Sequence, residues 1–311
     1  MITVAAGDVF TDIDAYASAL AYADLLRLQG NPARVVLEGE FNYSIPDELR
    51  HLDVNYDKTY RPIDDESFVV VDVSDPENMA RFVDEDRVDE VIDHHPGMEQ
   101  YWHKKIGTRS DIEPVGAVCT QIYERWLDAD MSDKISVDCA QLLAAGILDN
   151  TLNFTAEITS ERDRSAYANL AKIADLPDDW PAQYFSWCQR DVERNLSEAI
   201  RTDTKIMSFA GGPGELAVGQ LAVWDGSGLT GYHQQIQSVM QSFGRPWLLN
   251  AMLIKQECNL IAADDSTLQE FIGALLEVEF IDGIAQTNRL WLRKEIMQVA
   301  IDRVEGMSDE N

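Results

Sequence analysis

The sequence predicts an α/β protein: a doubly wound, mostly parallel sheet in the N-terminal part, followed by a smaller domain of mixed α/β structure. Three observations support this prediction. Short apolar, β-rich runs alternate with longer segments of helical periodicity over roughly the first 150 residues, as in parallel sheets covered by helices. After about residue 200 the pattern changes to paired strands around a glycine-rich turn. The composition, with 45% hydrophobic and 26% charged residues, is that of a folded globular chain.

The N-terminal domain is predicted from four strands and the helices that follow them. Each strand is a run of apolar and β-branched residues, and each helix repeats its apolar residues at intervals of three and four. The strands span residues 2–6, 33–37, 68–71 and 88–92, and the helices span residues 16–28, 115–127, 137–148 and 160–173. A polar stretch with two prolines at 175–181 interrupts this pattern. We therefore place the domain boundary after residue 188.

The second domain, residues 189–311, is predicted to contain strands and helices in irregular order, which favours a mixed sheet. Its strands span residues 205–209, 215–224, 247–255 and 258–263, with a turn at 211–214 and helices at 232–243 and 267–276. We expect the active site in the cleft between the two domains.

The charge balance excludes several classes of function. The chain has 25 Lys and Arg against 55 Asp and Glu, a formal net charge of -30, so duplex nucleic acid and anionic membranes would be repelled. The four cysteines form no CxxC pair, which argues against a disulfide framework or a thiolate zinc site. We also expect neither a signal peptide nor a membrane-spanning segment, since the chain shows no long apolar run. These features predict a cytoplasmic protein, and the acidity is typical of a salt-rich cytoplasm.

Carboxylates and histidines follow three of the four N-terminal strands at the point where each strand ends. Because ligands bind at the carboxyl ends of strands in open parallel sheets, we expect these side chains to converge. Such a crowd of negative charge is stable only with divalent cations. The residues are Asp8, Asp12 and Asp14 after the first strand, Asp72 after the third, Asp93-His94-His95 after the fourth, and Asp149 at the end of an apolar helix.

The ligand types indicate which metal and which reaction to expect. Carboxylate with some imidazole suits manganese, cobalt or magnesium rather than zinc held by sulfur. Several bridging Asp predict two metal ions, the arrangement that activates water for phosphoryl hydrolysis. His95 is placed to bind the substrate or to protonate a leaving group. Taken singly, Asp12 and Asp14 have a simpler explanation as a helix cap and a first-turn acid, and Asp72 as a turn residue.

The order of these motifs resembles the DHH phosphoesterase superfamily over residues 1–155. The segments at 38–42 (Glu-Gly-Glu-Phe-Asn) and 114–116 (Pro-Val-Gly) resemble further stretches of that family. The resemblance implies a catalytic set of Asp14, Asp72 and His95, with His95 facing the substrate. It implies two divalent ions, manganese first and cobalt or magnesium as alternatives, on the ligands Asp8, Asp12, Asp14, Asp72, His94 and Asp149.

The second domain resembles the family II inorganic pyrophosphatase and exopolyphosphatase branch. The resemblance rests on the segments 202–205, 218–221 and 292–294. It implies that Lys205, Arg293 and Lys294 hold phosphate oxygens, and that the chain hydrolyses a small anionic substrate, pyrophosphate or short polyphosphate. Proteins of this branch often form homodimers, so a homodimer is a further expectation.

The sequence departs from the pyrophosphatase pattern at several positions. Asp8 replaces the first histidine, Val73 and Ser74 replace a His-Asn pair, and Leu292 replaces a signature serine. Two alternatives therefore stay open: a DHH phosphodiesterase or nucleotide phosphatase, and a binding or regulatory protein with a degenerate metal site.

Overall fold

The computed structural model describes residues 1–209, 214–226 and 231–308. It divides into two units, Met1–Pro181 and Ala182–Asn311, each with its own sheet. The predicted boundary, after residue 188, lies seven positions further along the chain than this division. No predicted strand or site residue lies between the two. Within the described residues, none of the helices combines the length and the apolar character needed to cross a membrane.

The first unit contains a five-stranded sheet whose neighbouring strands are all parallel. The strands of this unit are β1 (Ile2–Ala5), β2 (Phe10–Thr11), β3 (Ala33–Val35), β4 (Glu40–Phe41), β5 (Ser67–Val71), β6 (Val88–Asp93) and β7 (Ser110–Ile112). The order in the large sheet is β3-β1-β5-β6-β7, and β2 pairs with β4 separately. The winding reverses beside β1, as in a doubly wound sheet, so the predicted fold class is confirmed. Ligands bind at such reversal points.

The helices of this unit are α1 (Ile13–Leu28), α2 (Asp47–Arg50), α3 (Glu99–Ile106), α4 (Val118–Asp128), α5 (Val137–Asn150) and α6 (Glu161–Ile173). Helices α1, α3 and α4 pack against the large sheet, and α5 and α6 pack against those helices. Helix α1 is buried along almost its whole length and is rich in alanine, which allows α4 and α5 to pack closely against it. It begins at Ile13 because the Asp12 side chain caps it, accepting a hydrogen bond from the Ala15 N–H at 3.0 Å.

One close approach between these helices depends on a glycine. A Cβ added to Gly146 in α5 would collide with Cys119 Sγ and lie 3.3 Å from the Asp14 Cα. We expect Gly146→Ala to lower the free energy of unfolding by about 1–3 kcal/mol through overpacking, although alanine favours a helix by up to about 1 kcal/mol. Urea unfolding measures the loss. Adding Cys119→Ala should restore part of it, and a double variant no more stable than Gly146→Ala would contradict this explanation.

The second unit contains a mixed five-stranded sheet in the order β12-β11-β10-β9-β8. Only β9 and β10 are parallel to each other, and the other pairs are antiparallel. This confirms the predicted mixed α/β architecture; the predicted turn at 211–214 lies largely outside the described residues. The elements are α7 (Trp180–Arg194), α8 (Leu196–Thr202), β8 (Thr204–Phe209), β9 (Gly214–Val223), α9 (His233–Gln241), β10 (Trp247–Leu253), β11 (Cys258–Ala263), α10 (Ser266–Leu276), β12 (Ile284–Gln286) and α11 (Arg293–Ser308).

Candidate active site

The candidate site lies where β5 and β6 end. Asp72 follows β5, His94 and His95 follow β6, and one ligand atom from each side chain lies within 4.8 Å of the others. The His94 Nε2 is 3.5 Å from the Asp72 Oδ1. Asp72 has a φ of 58°, a left-handed conformation that non-glycine residues adopt mainly where the surrounding structure enforces it. The structure thus brings together three residues that the sequence predicts for one site.

The orientation of His94 suits a metal ligand. Its ring is buried, and Nδ1 lies 3.0 Å from the backbone carbonyl oxygen of Val115. Because a carbonyl oxygen only accepts hydrogen bonds, Nδ1 carries a proton, and in the neutral ring Nε2 presents its lone pair toward Asp72. A carboxylate oxygen beside an imidazole nitrogen is a donor set that fits manganese, cobalt or magnesium.

Asp93 holds the second histidine. Its Oδ1 lies 2.8 Å from the His95 Nδ1 and also accepts hydrogen bonds from the backbone N–H groups of His94 and His95. Asp93 is fully buried, whereas the His95 side chain is 45% exposed. Since Nδ1 is engaged by Asp93, Nε2 is the atom through which His95 can contact a substrate.

The two carboxylates at the start of α1 have different environments. Asp12 is the helix cap described above, so the simpler explanation of this residue is part of its role. Asp14 is completely buried, and its carboxylate accepts hydrogen bonds from the Val118 and Cys119 N–H groups at 2.9 and 2.8 Å. Burial, and then the neighbouring Asp12 charge, raise the pKa of Asp14 to about 7. A cation next to Asp14 would stabilise its charged form.

Like Asp12 and Asp14, Asp8 and Asp149 lie outside the compact group formed by Asp72 and the two histidines. The Asp8 carboxylate accepts a hydrogen bond from Arg81 Nε at 2.8 Å, and the Arg81 side chain is 88% exposed. Such an exposed ion pair contributes about 0–1 kcal/mol, so a divalent cation can displace the arginine. Asp149 is half-buried in the last turn of α5. The ligand roles of Asp8, Asp12, Asp14 and Asp149 stay predictions.

In the second unit, Arg293 connects the three segments that resemble the pyrophosphatase branch. Its guanidinium is buried, pairs with the Asp203 carboxylate at 2.8 Å and donates to the carbonyl oxygens of Asp203 and Val218. Its backbone N–H donates to Gln220 Oε1 at 2.8 Å. Leu292, which replaces the signature serine, buries its side chain, and its N–H donates to the Glu295 carboxylate.

The two predicted lysine ligands of phosphate are more accessible than Arg293. Lys205 lies exposed on β8, and Lys294 is half-exposed in the first turn of α11. The role of all three cations in holding phosphate stays a prediction. The buried contacts of Arg293 also show that it braces the fold of this unit.

Several residues that shape the site have no role that the sequence predicts. Ser44 Oγ accepts a hydrogen bond from the Ile13 N–H, and Asn42 Oδ1 accepts from the Ser44 N–H, each at 2.9 Å. These bonds fix the backbone of Ile13, which lies between Asp12 and Asp14. Asn42 belongs to the segment 38–42, which resembles a stretch of the DHH family. Its role here depends on contacts that form only in the folded chain.

Comparison with known proteins agrees with this architecture. Residues 2–147 match the N-terminal domain of the DHH family. The chain is 27% identical to a protein of Deinococcus radiodurans named probable manganese-dependent inorganic pyrophosphatase, with 94% of this chain and 95% of the relative covered. A protein of the same name from Clostridium acetobutylicum is 24% identical, with 95% and 96% covered.

Among solved structures, a Methanococcus jannaschii protein assigned to the family II inorganic pyrophosphatases has the same fold. Its TM-score is 0.75 at 20% identity, with 98% of this chain and 100% of that chain covered. Residues 2–147 thus match the DHH family, and over nearly its whole length the chain resembles proteins named as manganese-dependent inorganic pyrophosphatases.

Proposed function

We propose that this protein hydrolyses the phosphoanhydride bond of pyrophosphate with divalent manganese. The observation that carries the proposal is the group of Asp72, His94 and His95 at adjacent strand ends. It occurs in a chain that aligns almost end to end with relatives named for this activity. Short polyphosphate is the second substrate of the same chemistry.

The protein supplies ligands and fixed orientations to this reaction. Bound divalent ions would activate a water molecule and neutralise charge on the phosphate oxygens. Asp72 and His94 would hold them, with Asp14 and Asp149 as further ligands. Hydrogen bonds from the start of α4 fix the Asp14 carboxylate, and the Val115 carbonyl fixes the ring of His94. These side chains therefore need little rearrangement when the site is loaded.

His95 would act on the phosphate. Asp93 orients its ring through Nδ1, and when the ring is protonated Nε2 can donate a hydrogen bond to a phosphate oxygen or pass its proton to a leaving phosphate. In the second unit, Lys205 and Lys294 would bind phosphate oxygens, with Arg293 holding the segments that carry them. The cytoplasmic location and the homodimer remain predictions from the sequence.

The test is phosphate release from pyrophosphate, tripolyphosphate, long-chain polyphosphate and pApA, each with manganese, cobalt or magnesium. We expect the fastest release from pyrophosphate with manganese, and a large loss in Asp149→Asn. Preference for longer chains would make the protein an exopolyphosphatase. Release from pApA alone, or none from folded, metal-loaded protein, would overturn the proposal.

A further inference from the structure

The peptide unit between Val115 and Gly116 is held from both sides. Its carbonyl oxygen accepts a hydrogen bond from His94 Nδ1 at 3.0 Å, and its N–H donates to the Asp163 Oδ2 at 3.2 Å. Because a peptide unit is planar and rigid, the position of one end fixes the other. A single amide therefore joins a buried carboxylate to the ring of His94.

Asp163 makes two kinds of hydrogen bond. It is fully buried near the start of α6, where it forms a capping box with the backbone N–H and the hydroxyl of Ser160. It also accepts from the Gly116 N–H and from the Thr120 hydroxyl, the latter at 2.6 Å. The capping box stabilises α6 by itself. The other two bonds reach the segment that contacts His94, and a helix cap does not require them.

Gly116 allows the close approach of the two segments. A Cβ at this position would lie 2.6 Å from Thr151 Cγ2 and 2.7 Å from the Asp163 Oδ2. Any side chain at residue 116 would therefore push the N–H away from the carboxylate. The absence of a side chain at Gly116 thus permits the hydrogen bond to Asp163, and the same amide contacts His94.

We propose that Asp163 is a positioning residue for metal binding by His94. Through the Val115–Gly116 amide, it keeps the His94 proton on Nδ1 and so presents Nε2 to the ion. Metal-ligating histidines commonly donate their other N–H to a carboxylate or a backbone carbonyl; here the carboxylate acts one amide further away. Its charge polarises that amide, and linked hydrogen bonds strengthen one another in a buried environment. The inference rests on the proposed metal site but not on the identity of the substrate.

The first test compares Asp163→Asn with Ser160→Ala as a matched control. Asparagine preserves the shape and an acceptor oxygen but removes the charge, whereas Ser160→Ala weakens the same helix cap and leaves the bond to Gly116. By calorimetry with manganese alone, we expect affinity to fall about tenfold in Asp163→Asn and to stay unchanged in Ser160→Ala. Thermal unfolding of both variants measures the shared loss of the cap. Equal weakening in both, or none in Asp163→Asn, would overturn the proposal.

The second test needs no metal. Long-range proton–nitrogen spectra of protein labelled in its five histidines report the tautomer of His94, which we expect to shift from Nδ1–H toward a mixture in Asp163→Asn. An unchanged tautomer in that variant would contradict the proposal. If Asp163→Asn fails to fold, Gly116→Ala displaces the same amide and should produce the same shift and the same loss of affinity. A folded Gly116→Ala with neither effect would overturn it.

Discussion

Replacing Asp72 with asparagine is expected to lower the rate of pyrophosphate hydrolysis by about 1,000-fold, or roughly 4 kcal/mol in the barrier. The carboxylate oxygen that faces His94 at 3.5 Å would lose its charge, and with it most of its attraction for a divalent ion. The backbone should tolerate the change, since asparagine, like aspartate, adopts the left-handed conformation seen at this position. Steady-state kinetics measures the loss of rate, and calorimetry with manganese measures the loss of affinity for the ion.

Two further variants separate chemistry from folding. Asp72→Ala should lose activity and, in addition, about 1–2 kcal/mol of stability, because alanine adopts a positive φ less readily. Asp75→Asn is the matched control: this nearby aspartate caps a short turn through the Glu77 N–H, so manganese affinity should be unchanged. Wild-type manganese affinity in Asp72→Asn would show that Asp72 is not a metal ligand.

Replacing His95 with glutamine is expected to lower kcat by about 100- to 10,000-fold while manganese affinity stays near that of the wild type. The reason is that His95 Nδ1 is already engaged by Asp93, and its half-exposed ring faces outward. The variant would therefore lose contact with the substrate and transfer of a proton to it, whereas metal binding would be retained. Kinetics at saturating manganese and separate calorimetry distinguish the two.

The histidines of the chain provide the controls for this experiment. His94→Gln should lose manganese affinity, whereas His103→Gln, on the exposed face of α3, should behave like the wild type. Asp93→Asn should give an intermediate kcat because it weakens the hold on Nδ1 without removing the ring. If His95→Gln loses manganese as strongly as His94→Gln does, His95 is a ligand instead.

The main elements of the fold follow from sequence patterns, and several departures from those patterns have physical causes. Helix α3 buries only Trp102, and β7 has three half-exposed residues, so neither has a clear apolar period. Helix α7 begins inside the stretch predicted to break the helices, because Pro181 lies in its first turn, where a missing N–H costs little. The start of α4 moves from residue 115 to Val118, since the Val115–Gly116 amide is engaged by His94 and Asp163.

The site could be predicted only in part. The ends of β5 and β6 are visible in the sequence, and they place Asp72, His94 and His95 in one region. The hydrogen-bond partners that orient these residues cannot be predicted from the sequence pattern. Val115 contributes a backbone carbonyl, which any residue could supply. Asp163 follows Ser160 at the spacing of an ordinary capping box, so its sequence position indicates only a role at the start of a helix. Such contacts join distant segments, and local spacing carries no information about them.

The buried guanidinium of Arg293 has a consequence for how sequences of this kind evolve. Its contacts with the Asp203 carboxylate and with the carbonyl oxygens of Asp203 and Val218 join segments that are far apart along the chain. A lysine at position 293 could not reproduce this planar, forked set of bonds. Residues 203 and 293 should therefore change together among related proteins, as contacting residues do. Signature residues of the second unit would then record shared descent of a scaffold as well as of a binding site.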